Sequence, residues 1–175
     1  MPSRRKLGIV ATALAASSVA VAVATAPTPT AAEGDPSTSA GLRAVRAFTE
    51  RYQSEAAAID DGFAPTDECI PGMGYHYVNF ARLDTTLEPR RPEALLYEPG
   101  GDGNRRLVGA EWIVIDSDQD LATDNDTPSL FGHDFEGPMP GHTPGMPVHY
   151  DLHAYAWIDN PNGPFATWNP TITCE

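Results

Sequence analysis

The stretch VHYDLHAYAW (148–157) decides how the chain is to be read. As a strand, it puts Val148, Tyr150, Leu152, Ala154, Ala156 and then Ile158 on one face. His149, Asp151, His153, Tyr155 and Trp157 take the other, because successive side chains point to opposite sides. The first is a core face. The second is polar and aromatic at once, which suits the wall of a cleft better than open solvent. Four residues along a strand span about 13 Å, so His149 and His153 can barely share one ion with nitrogen bonds of about 2 Å. A metal here takes one of them and draws further ligands from other strands. His76 in MGYHYVN (73–79) and Glu111 in LVGAEW (107–112) are the candidates. Asp151 is placed to orient a ligand histidine from behind.

Outward from this stretch the chain reads as more strands and one helix. YHYVNF (75–80) is aromatic and β-branched. EALLYEP (93–99), GGDGN and RRLVGAEWIVID (105–116) form a hairpin signal. From Ser39 to Gly62, the apolar residues Leu42, Val45, Phe48, Tyr52, Ala56 and Ile59 recur at steps of three and four, the stripe of an amphipathic helix. One helix followed by strands predicts an α+β domain, with the N-terminal helix packed on an antiparallel sheet or a small barrel.

Each methionine after Met1 precedes a histidine by three residues: Met73 and His76, Met139 and His142, Met146 and His149. Thioether with imidazole suits copper better than zinc. Met73, Met139, His142 and Met146 are therefore possible supporting ligands. The alternative is methionine filling core gaps after Pro-Gly turns. The segment 127–147 has five prolines and four glycines and carries His133, Asp134 and His142. It reads as a flap over the His149 face, or as an exposed excursion. DSDQDLATDND (116–126) lacks the glycine and glutamate that a calcium loop needs, and reads as a solvated acidic turn. Signatures of serine hydrolases, nucleotide-binding loops and zinc proteases are missing.

The N-terminus has the layout of a secretory signal peptide over residues 1–32: basic SRRKLG, an apolar run rich in alanine and valine, then small residues. Adjacent Arg4 and Arg5 fit a twin-arginine signal, with the general secretory route a close rival. Residues 33–41 read as a flexible tether, and 42–175 as a single globular domain. Without Arg4, Arg5 and Lys6, eight arginines face 24 acidic residues, a net charge of −16. Such a surface repels nucleic acid and anionic lipid. Neither nucleic-acid binding nor membrane insertion after signal cleavage is expected. Cys69 and Cys174, an isolated pair in an exported chain, predict a disulfide.

The blocks MGYHYVN, PEALLYEP (92–99), LVGAEW, GMPVHYDLHAYAW (145–157) and NPNGPFATWNP (160–170) together resemble a family of small secreted bacterial proteins. That resemblance implies one exported domain and assigns no catalytic role. Three histidines and a carboxylate from separate strands are also similar to cupin metal sites, although the cupin spacing is absent. Three functions follow as expectations. The first is a metal site of His76, Glu111, His149 and His153, binding copper ahead of zinc. The second is a metal-free cleft for a small molecule such as a sugar or peptide, walled by Tyr155 and Trp157. The third is a weak hydrolase with His149 or His153 as general base beside a carboxylate.

Overall fold

The computed structural model describes residues 36–101 and 103–175. The expected signal peptide and the first part of the tether lie outside the described residues. Helix α1 spans Pro36–Thr49, so the later part of the expected tether is helical. The stripe read from 39 to 62 is also not one helix. A 3-10 turn at Glu50–Gln53 follows α1, and Ser54 then starts α2 (Glu55–Asp60), its hydroxyl accepting from the Ala57 amide. Serine offers the free N-terminal amides an acceptor, which favours a fresh start there. The break shifts the buried phase. Val45 and Tyr52 are buried as expected, but Ala58 replaces Ala56 and Ile59, which are exposed.

Eight strands follow: β1 Ala64–Ile70, β2 Gly74–Val78, β3 Ala94–Pro99, β4 Arg105–Ile115, β5 Ser129–Leu130, β6 His133–Asp134, β7 Glu136–Met139 and β8 His149–Ala154. Six form one antiparallel sheet in the order β1-β2-β3-β4-β8-β7, and β5 pairs with β6 in a separate ribbon. The domain is α+β, with a sheet and not a barrel. The strand region begins at Ala64, earlier than YHYVNF (75–80), the first stretch that reads as a strand. APTDECI carries proline and two acids and is largely exposed, which an edge strand tolerates. At the opposite edge, β7 converts part of the expected flap into sheet.

The helices cover one face. Val45, Tyr52, Ala58 and Phe63 join Tyr77, Leu95, Tyr97, Leu107, Trp112, Tyr150 and Leu152 in the main core. A register shift between β3 and β4 lets both Leu107 and Ala110 reach that face, so Glu111 and Ile113 point to the other one. Leu96, Val108, Tyr155 and Ile172 form a smaller cluster apart from the main core. The C-terminal tail lies there. Gly72 and Asn169 bond backbone to backbone, Gly72 donates to Ile172, and the Cys69–Cys174 disulfide closes the tail onto β1. Gly74, at φ +91°, could not carry a Cβ, which would strike the Tyr97 carbonyl.

Candidate metal centre

Sheet register builds the site. On β4 and β8, Glu111 pairs with His153, Ile113 with Asp151, and Ile115 with His149. On β2 and β3, His76 pairs with Leu96. Ala94 of β3 pairs with Glu111, and its small side chain leaves room above the strand between β2 and β4. His76 Nε2 comes within 3.6 Å of Glu111 Oε2, and His153 Nε2 within 3.8 Å of Glu111 Oε1. His76, Glu111 and His153 each offer a ligand atom, all within 4.8 Å of one another, so the group could hold a metal ion.

His149 is not in that group. The separation along the strand divides the two histidines, and His149 meets His142 and Asp151 in a second group of the same span. Asp151 stands between the two groups, its Oδ1 3.7 Å from His153 Nδ1. That places it to orient His153, whose other nitrogen faces Glu111.

These side chains are deeply buried, with Glu111 3 %, His153 2 % and His149 0 % exposed. Glu111 Oε2, Asp151 Oδ1, His149 Nε2 and both ring nitrogens of His153 have no hydrogen-bond partner among the described residues. Buried polar atoms are nearly always paired, and each orphan costs about 1–3 kcal/mol. Burial sets their protonation. It pushes His76 down to about 4 and His153 to about 3, with neighbouring histidine charge adding to both. His149 is lowered for the same first reason. Burial lifts Glu111 well above the usual carboxylate range, with Asp151 and Glu93 adding to it, and lifts Asp151 to about 7. At neutral pH the imidazoles of His76, His149 and His153 are therefore neutral, Glu111 holds its proton, and Asp151 is near half-ionised.

A pocket of about 490 Å³ opens over the first group. His76, Glu111, Asp151 and His153 line it, and so do Met73, Met139, Met146 and His142. Each of the three Met-x-x-His pairs thus places its methionine in one pocket wall. The lining carries Glu68 and Glu136 but no arginine or lysine among the described residues. Of the expected flap, Glu136, Met139, His142, Thr143 and Met146 reach the pocket, whereas His133 stacks on Phe165 and bonds Thr38 elsewhere.

Two expected cleft residues belong elsewhere. β8 ends at Ala154 and the alternation ends with it. Trp157 turns toward the helices, its Nε1 donating to Thr49 Oγ1 at 2.9 Å. Tyr155 is buried, lies nearly parallel to the His153 ring, and sets its hydroxyl 3.0 Å from Gly72 O and 2.8 Å from Thr167 O. The aromatic walls are Phe80 and Trp168, 64 % and 54 % exposed. Their signal lay in the ends of YHYVNF and NPNGPFATWNP, where an aromatic beside a turn is free to face a cleft. No protein-family model, curated protein or solved structure matches this chain.

Proposed function

We propose that this chain is an exported metal-binding domain. His76, Glu111 and His153 hold the ion at the floor of the pocket, and copper is preferred over zinc. The observation that supports it is the set of buried, unpartnered atoms on Glu111 and His153, which point at a shared position. Two ligands bonded to one ion at about 2.1 Å lie about 3.4 Å apart at a tetrahedral angle. The separations of 3.6 and 3.8 Å are close to that and too long for hydrogen bonds. Two imidazoles and one carboxylate suit a transition metal and leave positions open toward the pocket. The methionines in the wall favour copper. Export is supported by the leader-like N-terminus and by the disulfide, which needs an oxidising compartment.

A small organic ligand without metal is the second reading, supported by the exposed Phe80 and Trp168 at the pocket. A general-base hydrolase is disfavoured, because a histidine held at about 3 is a poor base at neutral pH.

The test is titration of the exported protein, purified without a histidine tag, with Cu(I), Cu(II) and Zn(II), followed by thermal melting. Tight binding with a raised melting temperature, lost in His76→Ala, supports the reading. No bound metal after loading and dialysis overturns it and turns the search to organic ligands.

A further inference from the structure

We propose a second metal position, formed by His149, Asp151 and His142 beside the first and joined to it through Asp151. The His149 ring is fixed for this role. Its Nδ1 lies 3.2 Å from the Pro147 carbonyl oxygen. A carbonyl only accepts, so Nδ1 carries the proton and Nε2 presents its lone pair. That Nε2 belongs to a fully buried residue and has no partner among the described residues. Asp151 Oδ1 is likewise buried and unpartnered. The His142 ring stands nearly perpendicular to that of His149, with centroids 4.8 Å apart. All three residues offer ligand atoms within 4.8 Å of one another.

His149 Nε2 and Asp151 Oδ1 do not satisfy each other as placed, since each lacks a partner among the described residues, and once Asp151 is ionised both only accept. A cation satisfies both. Two imidazoles and a carboxylate call for a borderline divalent ion, Cu(II) or Zn(II), rather than calcium or magnesium. Met139 pairs with His149 across β7 and β8 and lines the same pocket. The burial pattern gives the position a direction of entry: His149 and Asp151 are buried, while His142 is exposed on the loop after β7. The ion meets His142 first and then the fixed pair.

Asp151 links the two positions. Its carboxylate belongs to the second group, and its Oδ1 lies 3.7 Å from His153 Nδ1. A carboxylate held ionised there favours the proton on His153 Nδ1, which leaves Nε2 as the donor to the first ion. The two ions are then coupled, each changing the other's affinity by the same factor. This coupling rests on the first position, but the second position itself does not.

The experiment is equilibrium dialysis of the untagged exported protein against Zn(II), and separately Cu(II), with elemental analysis. The wild type, His76→Ala, His149→Ala and His142→Ala are compared, and melting curves check that each is folded. We expect two ions in the wild type. His149→Ala keeps one, and His142→Ala, a change on an exposed loop, weakens the second ion by about tenfold or more. One ion in the wild type that His76→Ala removes and neither His149→Ala nor His142→Ala affects would overturn the second position and leave the first. One ion retained in His76→Ala but weakened in His142→Ala would support the second and sink the first. No ion in the wild type would overturn both.

Discussion

Glu111 and His153 face each other directly across β4 and β8, yet their Oε1 and Nε2 stop 3.8 Å apart without a hydrogen bond. An acid and an imidazole so placed in a protein interior would ordinarily close up or be replaced by apolar side chains. The flanking strands hold them open. Glu93, just before β3, has its carboxylate on the Ile113 amide, which fixes β4 next to Glu111. The arrangement leaves buried polar atoms without a partner among the described residues, which costs the metal-free domain stability.

Substituting Glu111→Gln separates that cost from its use. The folded carboxyl titrates well above its unfolded value, so the stability it contributes is present at acid pH and is lost as pH rises through the folded value. The metal-free variant should match the wild type near pH 5 and melt higher near pH 8. Zn(II) should then stabilise it far less, because the anionic ligand is gone. Melting temperatures at both pH values, with and without Zn(II), check this. A variant less stable than wild type at pH 8 without metal would contradict the assignment of Glu111 as a buried strained acid.

Metal affinity should follow the carboxyls rather than the histidines. His76 and His153 titrate at about 4 and about 3, so they compete with the ion only in strong acid. Asp151, at about 7, and Glu111 bind protons that the ion must displace. Affinity should fall as pH drops below 7, by about tenfold per unit for each proton displaced. Titration calorimetry in buffers of different ionisation enthalpy should record proton release near pH 7. Affinity flat from pH 7.5 down to 5.5 would count against this ligand set.

Trp157 should matter to the fold and Trp168 to the pocket, although alternation alone put Trp157 on the cleft wall. Trp157 packs against the main core and bonds Thr49, so Trp157→Ala should cost about 2–3 kcal/mol, somewhat below the loss for a fully buried ring. Trp168 is half exposed at the pocket, and Trp168→Phe should leave stability within about 0.5 kcal/mol. Cu(II) should quench fluorescence in Trp157→Phe and much less in Trp168→Phe. Denaturant unfolding and emission titrations read both effects, and equal quenching in the two variants would refute the placement.

What could be read in advance follows from where each residue sits in the sheet. β4 and β8 are central, so their alternation is enforced on both faces and remains visible in the letters. Glu111, Asp151 and His153 could be placed by it. Strand rise makes a shared ion for His149 and His153 a strain, yet the expected ligand set holds both, and the two ligand groups of the structure divide them. β1 and β7 are edges, where one side needs no partner and proline, glycine and acids are tolerated, so their composition resembles loop. The helix break depended on one serine accepting one amide, a local event that a stripe of apolar residues hides. Tyr155 and Trp157 leave the expected cleft face because β8 stops at Ala154, where the Tyr155 amide turns to Pro164 and the Trp157 amide to Val108. Beyond a strand's last ladder bond, period two carries no information.

Loss of the disulfide should reach the metal centre as well as the fold. Cys69 and Cys174 are 105 residues apart, and constraining so long a loop in the unfolded chain contributes about 4–5 kcal/mol on the entropic view. The bridge also anchors the tail that holds Thr167 against the Tyr155 hydroxyl, and Tyr155 lies alongside the His153 ring. The paired change Cys69→Ala and Cys174→Ala should therefore lower the denaturation midpoint sharply. In the fraction that stays folded it should weaken Zn(II) binding several-fold, because His153 loses the support on one side. Urea unfolding and Zn(II) titration at low temperature measure the two effects separately. Unchanged affinity in a folded double variant would show that the tail braces the sheet without positioning His153.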